Sequence, residues 1–224
     1  MNSIRNVAAT TAVVLGLAAT CWSQGMMRPP NIPGEFKPVV GSGAEYQMSD
    51  KGGTTHDWAW AVVGKESVDG QDGYWLEMRS TAPQGGSVIM KQLMVIQGGA
   101  PDIKRMIMQA PGRPPMEMPV GMMHMAMQRG QQQAEAGSHG LGGVVGTETV
   151  TVPAGTFETQ HYRSTDNGKT VDVWASTKVS PYGLVKMTSS DGTSMVLAKV
   201  LEHETSQITG EPQKMDFPMP GRPH

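Results

Sequence analysis

The sequence predicts a mainly β (α+β) fold, a strongly curved antiparallel sheet or half-barrel with a short helical lid. Three observations lead there. Apolar and polar residues alternate with a period of two through most of the chain from Gly43 onward. Asp-Gly, Asn-Gly and Pro/Gly turn signals separate these runs at short spacing, which joins neighbours as an antiparallel meander and leaves no room for parallel crossovers. Only one stretch, Met116–Ala136, has the composition of a helix.

Arg5 is the only charge in the first 23 residues; an apolar run from Val7 to Ala19 and small residues before Gln24 follow it. This is the layout of a secretory signal peptide, with Cys21 and Ser23 placed for cleavage after Ser23. A second reading stays open, in which Leu17-Ala18-Ala19-Thr20-Cys21 offers Cys21 for lipidation. Either way the chain is expected in the periplasm or outside the cell. Residues 24–42 contain Pro29-Pro30 and Pro33-Gly34 and read as a Pro-rich extended arm, because proline removes the amide that helices and central strands need.

The β domain is expected over 43–205. Trp58, Trp60 and Val62 alternate with Ala59, Ala61 and Val63, and Tyr74, Leu76 and Met78 alternate with Trp75, Glu77 and Arg79. The turn residues from Asp69 to Gly73 make these two runs a hairpin. Ser87–Ile96 is apolar on both faces, as in a central strand; in the next run Ile103, Arg105 and Ile107 oppose Lys104, Met106 and Met108. Residues 111–140 form a Met-rich insertion. Within it Met116–Ala136 is the expected lid, because Gly121–Glu135 carries helix formers and Met118, Met122 and Met125 are spaced four and three apart. The strand ending at Val150 and Val152 turns at Pro153-Ala154-Gly155 into Thr156–Arg163. Lys169–Ser176, Leu184–Thr188 and Ser194–Leu201 complete the meander. Residues 206–224 read as a disordered tail.

The chain has 224 residues, 38% hydrophobic and 17% charged, enough for one domain. Its formal charge of −2, or −3 once Arg5 is lost, provides no basic excess for nucleic acid. Beyond the N-terminus no apolar run reaches the roughly 20 residues of a membrane span. Without Cys21 the mature chain has no cysteine, so its core alone must hold it together.

Gly146-Thr147-Glu148-Thr149-Val150-Thr151-Val152-Pro153-Ala154-Gly155-Thr156-Phe157-Glu158-Thr159, followed by Val171-Asp172-Val173-Trp174-Ala175-Ser176 and Leu184-Val185-Lys186-Met187, resembles a pattern in exported bacterial domains. Those domains in turn resemble the LolA-like and LolB-like periplasmic lipoprotein carriers. The resemblance implies a curved sheet wrapped around an apolar cavity under a helical lid. It supplies no catalytic residue.

Methionine is the strongest local anomaly. Of the 19 in the chain, Met106, Met108, Met116, Met118, Met122, Met123, Met125 and Met127 fall within one short segment with His124 among them. Flexible, polarizable thioethers suit a wall or lid that accepts variable apolar shapes. They are also soft donors for Cu(I), for which Met122, Met123, Met125, Met127 and His124 are the candidate ligands. Plain core filling is the third reading, since Met26, Met78, Met90, Met187, Met195 and Met219 are scattered elsewhere. The six histidines lack zinc-site spacing, and each reads as a surface or turn residue. No nucleophile elbow, phosphate loop or dinucleotide fingerprint occurs, and Asp57 and Glu77 read as acids on a solvated strand face. The expectation is a non-enzymatic exported protein that binds an apolar ligand, such as an acyl chain or lipid, against Trp58, Trp60, Trp75, Met106, Met108, Met118 and Met122. No cofactor is expected unless the Cu(I) alternative holds. An envelope protein-interaction module docking through its Pro-rich arms is the other alternative.

Overall fold

A computed structural model describes residues 36–81, 85–97, 100–119, 121, 143–166 and 168–214. These hold twelve strands: β1 (Gly43–Ser49), β2 (Thr55–Val68), β3 (Gln71–Thr81), β4 (Ser87–Gln97), β5 (Ala100–Gln109), β6 (Met116–Met118), β7 (Gly143–Val152), β8 (Gly155–Asp166), β9 (Lys169–Ala175), β10 (Leu184–Ser189), β11 (Ser194–Leu201) and β12 (Gln213–Lys214). They form one open, curved sheet in the order β12-β6-β5-β4-β3-β2-β1-β11-β10-β9-β8-β7. Every pairing is antiparallel except that of β12 with β6. The predicted fold class therefore holds. Of the expected lid over Met116–Ala136, residues 120 and 122–136 lie outside the described residues. Its proposed beginning is corrected, because Met116–Met118 is a strand paired with β5.

Five breaks in register help to bend the sheet. The pairings skip Ala198, Val63, Lys104, Val145 and Val185, each leaving one residue without a partner opposite. Such bulges sharpen the right-handed twist and kink the strand. They also change which face a side chain occupies. Skipping Lys104 places Ile103 beside Met94 on the face of Met106 and Met108, so it does not share a face with Arg105 and Ile107 as strict alternation would require. Skipping Val185 lets Leu184 and Val185 both be buried.

One face, here called inner, carries the main core. It joins residues from Met118 at one end of the sheet to Phe157 near the other, through Met90, Met78, Leu76, Trp60, Tyr46, Leu197 and Leu184. The Tyr46 hydroxyl donates to the Leu184 carbonyl at 3.0 Å, and burial raises its pKa. Close packing leaves no room for a side chain at Gly43, where a Cβ would stand 2.4 Å from the Trp60 carbonyl oxygen. Gly183, with φ of 75°, closes the 176–183 loop through its carbonyl, which accepts from the Ser176 amide.

The expected arm ends against the sheet. Phe36 packs on Tyr182 at 5.2 Å, and the Lys37 amide donates to the Pro181 carbonyl. Gly41 and Ser42 exchange backbone bonds with Val62.

The expectation of a disordered tail beginning at 206 is corrected for residues 206–214, which form a strap across the outer face. The Ser206 hydroxyl and the Gln207 amide donate to the Glu77 carboxylate at 2.7 and 3.0 Å. Ile208 packs on Trp75, Leu93 and Ile107, and Gln213–Lys214 then pair with Met116 and Glu117. Glu77, expected on a solvated face, is completely buried beneath this strap. Arg79 and Glu204 form an ion pair at 2.6 Å where the strap begins.

Candidate functional site

The inner face of β2–β6 is built from cross-strand rows. In one row Trp60 stands opposite Met78, Met78 opposite Met90, Met90 opposite Met108 and Met108 opposite Met116. In the adjacent row Val62, Leu76, Gln92, Met106 and Met118 follow one another in the same way. Directly opposed side chains on neighbouring strands lie in contact range, so six thioethers form one continuous surface. Met78, Met90, Met106 and Met118 are buried, whereas Met108 and Met116 are half-buried. Unbranched methionine can change rotamer at low cost, so this wall adapts its shape more easily than one of valine or isoleucine.

At the β1–β2 end the wall becomes aromatic. Trp60 is surrounded by Tyr46, Tyr182 and Trp58, with ring centroids at 5.1, 5.5 and 6.5 Å. The Nε1 atoms of Trp58 and Trp60 are buried and have no hydrogen-bond partner among the described residues. Gln92 is the polar member of the methionine rows; its amide nitrogen donates to the Met90 Sδ at 3.7 Å, a weak acceptor.

The structure thus brings together Trp58, Trp60, Met106, Met108 and Met118 from the expected ligand set. It places Trp75 on the outer face, where its indole donates to Glu66 at 2.9 Å and Lys91 and Arg105 lie 4.7 and 5.2 Å from its ring centroid. Burial, the larger influence, lowers the Lys91 pKa. Met122, Met123, His124, Met125 and Met127 lie outside the described residues. Sequence reading missed Met78 and Met90 as partners of this wall, and it placed Met116 in the methionine cluster without naming it among the ligand-binding residues. Met78 and Met90 look scattered along the chain, and only strand register reveals that they adjoin.

Two polar features lie elsewhere. Glu45, Asp57, Arg79, Lys199 and Glu204 line an open depression of about 290 Å³, where Arg79 is already committed to Glu204. On β8–β9, His161 is buried, contrary to its expected surface position. Its Nε2 lies 2.6 Å from Asp172 and its Nδ1 lies 2.9 Å from Glu148, while Trp174 stacks on the ring at 4.5 Å. Burial alone would raise the Asp172 pKa, but the bonds from Arg163 and His161 outweigh it and hold the carboxyl below its ordinary range. Both ring nitrogens thus face carboxylates, and one ring face is covered by Trp174. Among the described residues no group of three or more His, Cys, Asp or Glu is placed to hold a metal ion, and no helix is long and apolar enough to cross a membrane.

No protein family profile matches the chain, and no curated protein matches it. Among solved structures it is similar to a presumed lipoprotein from Parabacteroides distasonis, with TM-score 0.39 and 12% identity over 75% of this chain and 98% of that one. It is also similar to a presumed exported protein with a YmcC-like fold from Bacteroides fragilis, with TM-score 0.37 and 11% identity over 75% of this chain and all of that one. A structure of PNGF-II matches with TM-score 0.37 and 6% identity, over 78% of this chain and 31% of that one. None of these three shows a link to the LolA-like carriers.

Proposed function

We propose that the protein is an exported, non-enzymatic binding protein that holds an apolar ligand, such as an acyl chain or lipid, against the inner face of β2–β6. The observation that carries this reading is the continuous Met78–Met90–Met108–Met116 row beside Met106 and Met118, ending at Trp60. A fold that needed only a rigid core would gain more from branched side chains in well-defined rotamers. Export rests on the signal-like segment ending near Ser23. The test is uptake of a fluorescent fatty acid by delipidated mature protein. Uptake is expected to saturate and to weaken in Met108→Glu, which sets a charge on the half-buried part of the wall, but not in Glu158→Gln on the exposed side of β8. Absence of uptake by folded wild-type protein removes the reading.

The same row favours a second reading, a Cu(I) site formed by thioethers, because neutral sulfurs on adjacent strands form a soft donor set. Competition against a Cu(I) chelator decides it: tight binding that is lost when Met90, Met106 and Met108 become Leu supports copper, and binding unaffected by those changes excludes this site. The set Met122, Met123, Met125, Met127 and His124 is tested separately in the same assay.

A further inference from the structure

We propose that the ligand of the inner face is an acyl ester whose carbonyl oxygen accepts hydrogen bonds from the indole Nε1 atoms of Trp58 and Trp60. Its hydrocarbon then lies along the methionine rows. This inference rests on the apolar-ligand reading and adds to it a polar anchor and an orientation.

Buried polar groups in folded proteins are almost always paired, and an indole N–H can only donate. Two such donors nevertheless stand without a partner among the described residues, at one end of a wall whose rows are apolar except for Gln92. Trp60 is 1% exposed, so bulk water does not reach it. Its ring neighbours are no substitute. The Tyr46 hydroxyl donates to Leu184 and accepts from neither indole, and the faces of Trp58 and Tyr182 are weak acceptors. Trp58 and Trp60 are two apart on β2 and therefore share a face, with ring centroids 6.5 Å apart in an edge-on arrangement, and a carbonyl oxygen has two lone pairs with which to accept.

The chemistry narrows further. The rows from Trp60 to Met116 and from Val62 to Met118 contain no lysine or arginine, so nothing in them would balance a phosphate or an ionised carboxylate. A neutral ester carbonyl meets the donors without burying a charge. Gln92, whose amide now reaches only a thioether, supplies a further donor along the same wall.

The experiment compares a medium-chain fatty acid methyl ester with an alkane of equal chain length, each displacing the fluorescent probe from wild type, Trp58→Phe and Trp60→Phe. Phenylalanine keeps a ring but removes the donor. Any general loosening of the site weakens both probes, so the ratio between them isolates the hydrogen bond. The expected result is a fall of about five- to tenfold in ester affinity, with alkane affinity unchanged, the size of one neutral hydrogen bond. In wild type the indole N–H resonances of Trp58 and Trp60 should shift on titration with ester and stay fixed with alkane. This readout holds even if Trp60→Phe fails to fold. Equal losses for the two probes, or unmoved resonances under saturating ester, overturn the ester anchor and leave apolar binding standing. Failure of wild type to bind either probe overturns the binding function itself, and the anchor with it.

Discussion

Replacing Ser206 by alanine tests how the strap is fixed to the outer face. Its hydroxyl donates to Glu77, a carboxylate with no solvent exposure, at 2.7 Å, and the Gln207 amide supplies the other contact to that group. A hydrogen bond to a charged group contributes about 1.5–3 kcal/mol, and a buried carboxylate cannot replace a lost donor with water while the strap stays in place. Ser206→Ala is therefore expected to destabilise the fold by about 2 kcal/mol. The loss is capped by the cost of peeling the strap away, since a detached strap would let water reach Glu77. Gln207→Ala is the matched control, because its backbone amide is retained. Urea unfolding at neutral pH should show a lower midpoint with unchanged slope for Ser206→Ala and little change for Gln207→Ala. Hydrogen exchange should show faster exchange at the amides of Gln207 and Ile208. A loss below about 0.5 kcal/mol with those amides still protected would refute the assignment of Glu77 as the anchor.

Gly43→Ala is expected to cost about 1–3 kcal/mol in thermal or urea unfolding, because the added Cβ meets the backbone of Trp60 and Ala61, which cannot swing aside as a side chain would. Burial pushes the Tyr182 phenol up to about 12. Stability linked to it is thus fully present below the unfolded value near 10 and is lost as pH rises to about 12, by up to about 3 kcal/mol. Tyr182→Phe should flatten this alkaline fall in a plot of unfolding free energy against pH. The depressed Asp172 carboxyl acts in the opposite direction: its contribution is present above the ordinary Asp value near 3.9 and is lost as pH falls through the folded one. The melting-temperature gap between wild type and Asp172→Asn should therefore narrow as the solution is acidified from about pH 6, and a constant gap contradicts that linkage.

The long strands were legible in the sequence because each has enough residues to display its period. Trp58, Trp60 and Val62 in β2 and Tyr74, Leu76 and Met78 in β3 occupy the inner face that alternation assigns them. The bulge at Lys104 was hidden, since an unpaired residue is a property of two strands and only one is visible in a local window. For the same reason Met78 and Met90 looked like scattered composition until register set them opposite each other. Strands of three and two residues, such as β6 and β12, are too short to show a period, and both lie near prolines. The burial of Glu77 was beyond local reading, because its hydroxyl partner lies 129 residues away in a polar segment. Within the candidate site, Trp58 and Trp60 were recognisable from their strand spacing, whereas the unpartnered state of their N–H groups depends on everything packed around them.

The central claim, that the inner face and not the outer one receives an apolar ligand, is tested most directly by quenching with brominated fatty acid methyl esters. Bromine quenches indole fluorescence only at contact, and the tryptophans divide between the faces, with Trp58 and Trp60 inside and Trp75 outside. A variant retaining Trp58 and Trp60 alone should be quenched saturably as the brominated ester binds, while one retaining Trp75 alone should keep its emission. Quenching of Trp75 with Trp58 and Trp60 unaffected would place the ligand on the strap side and contradict the account.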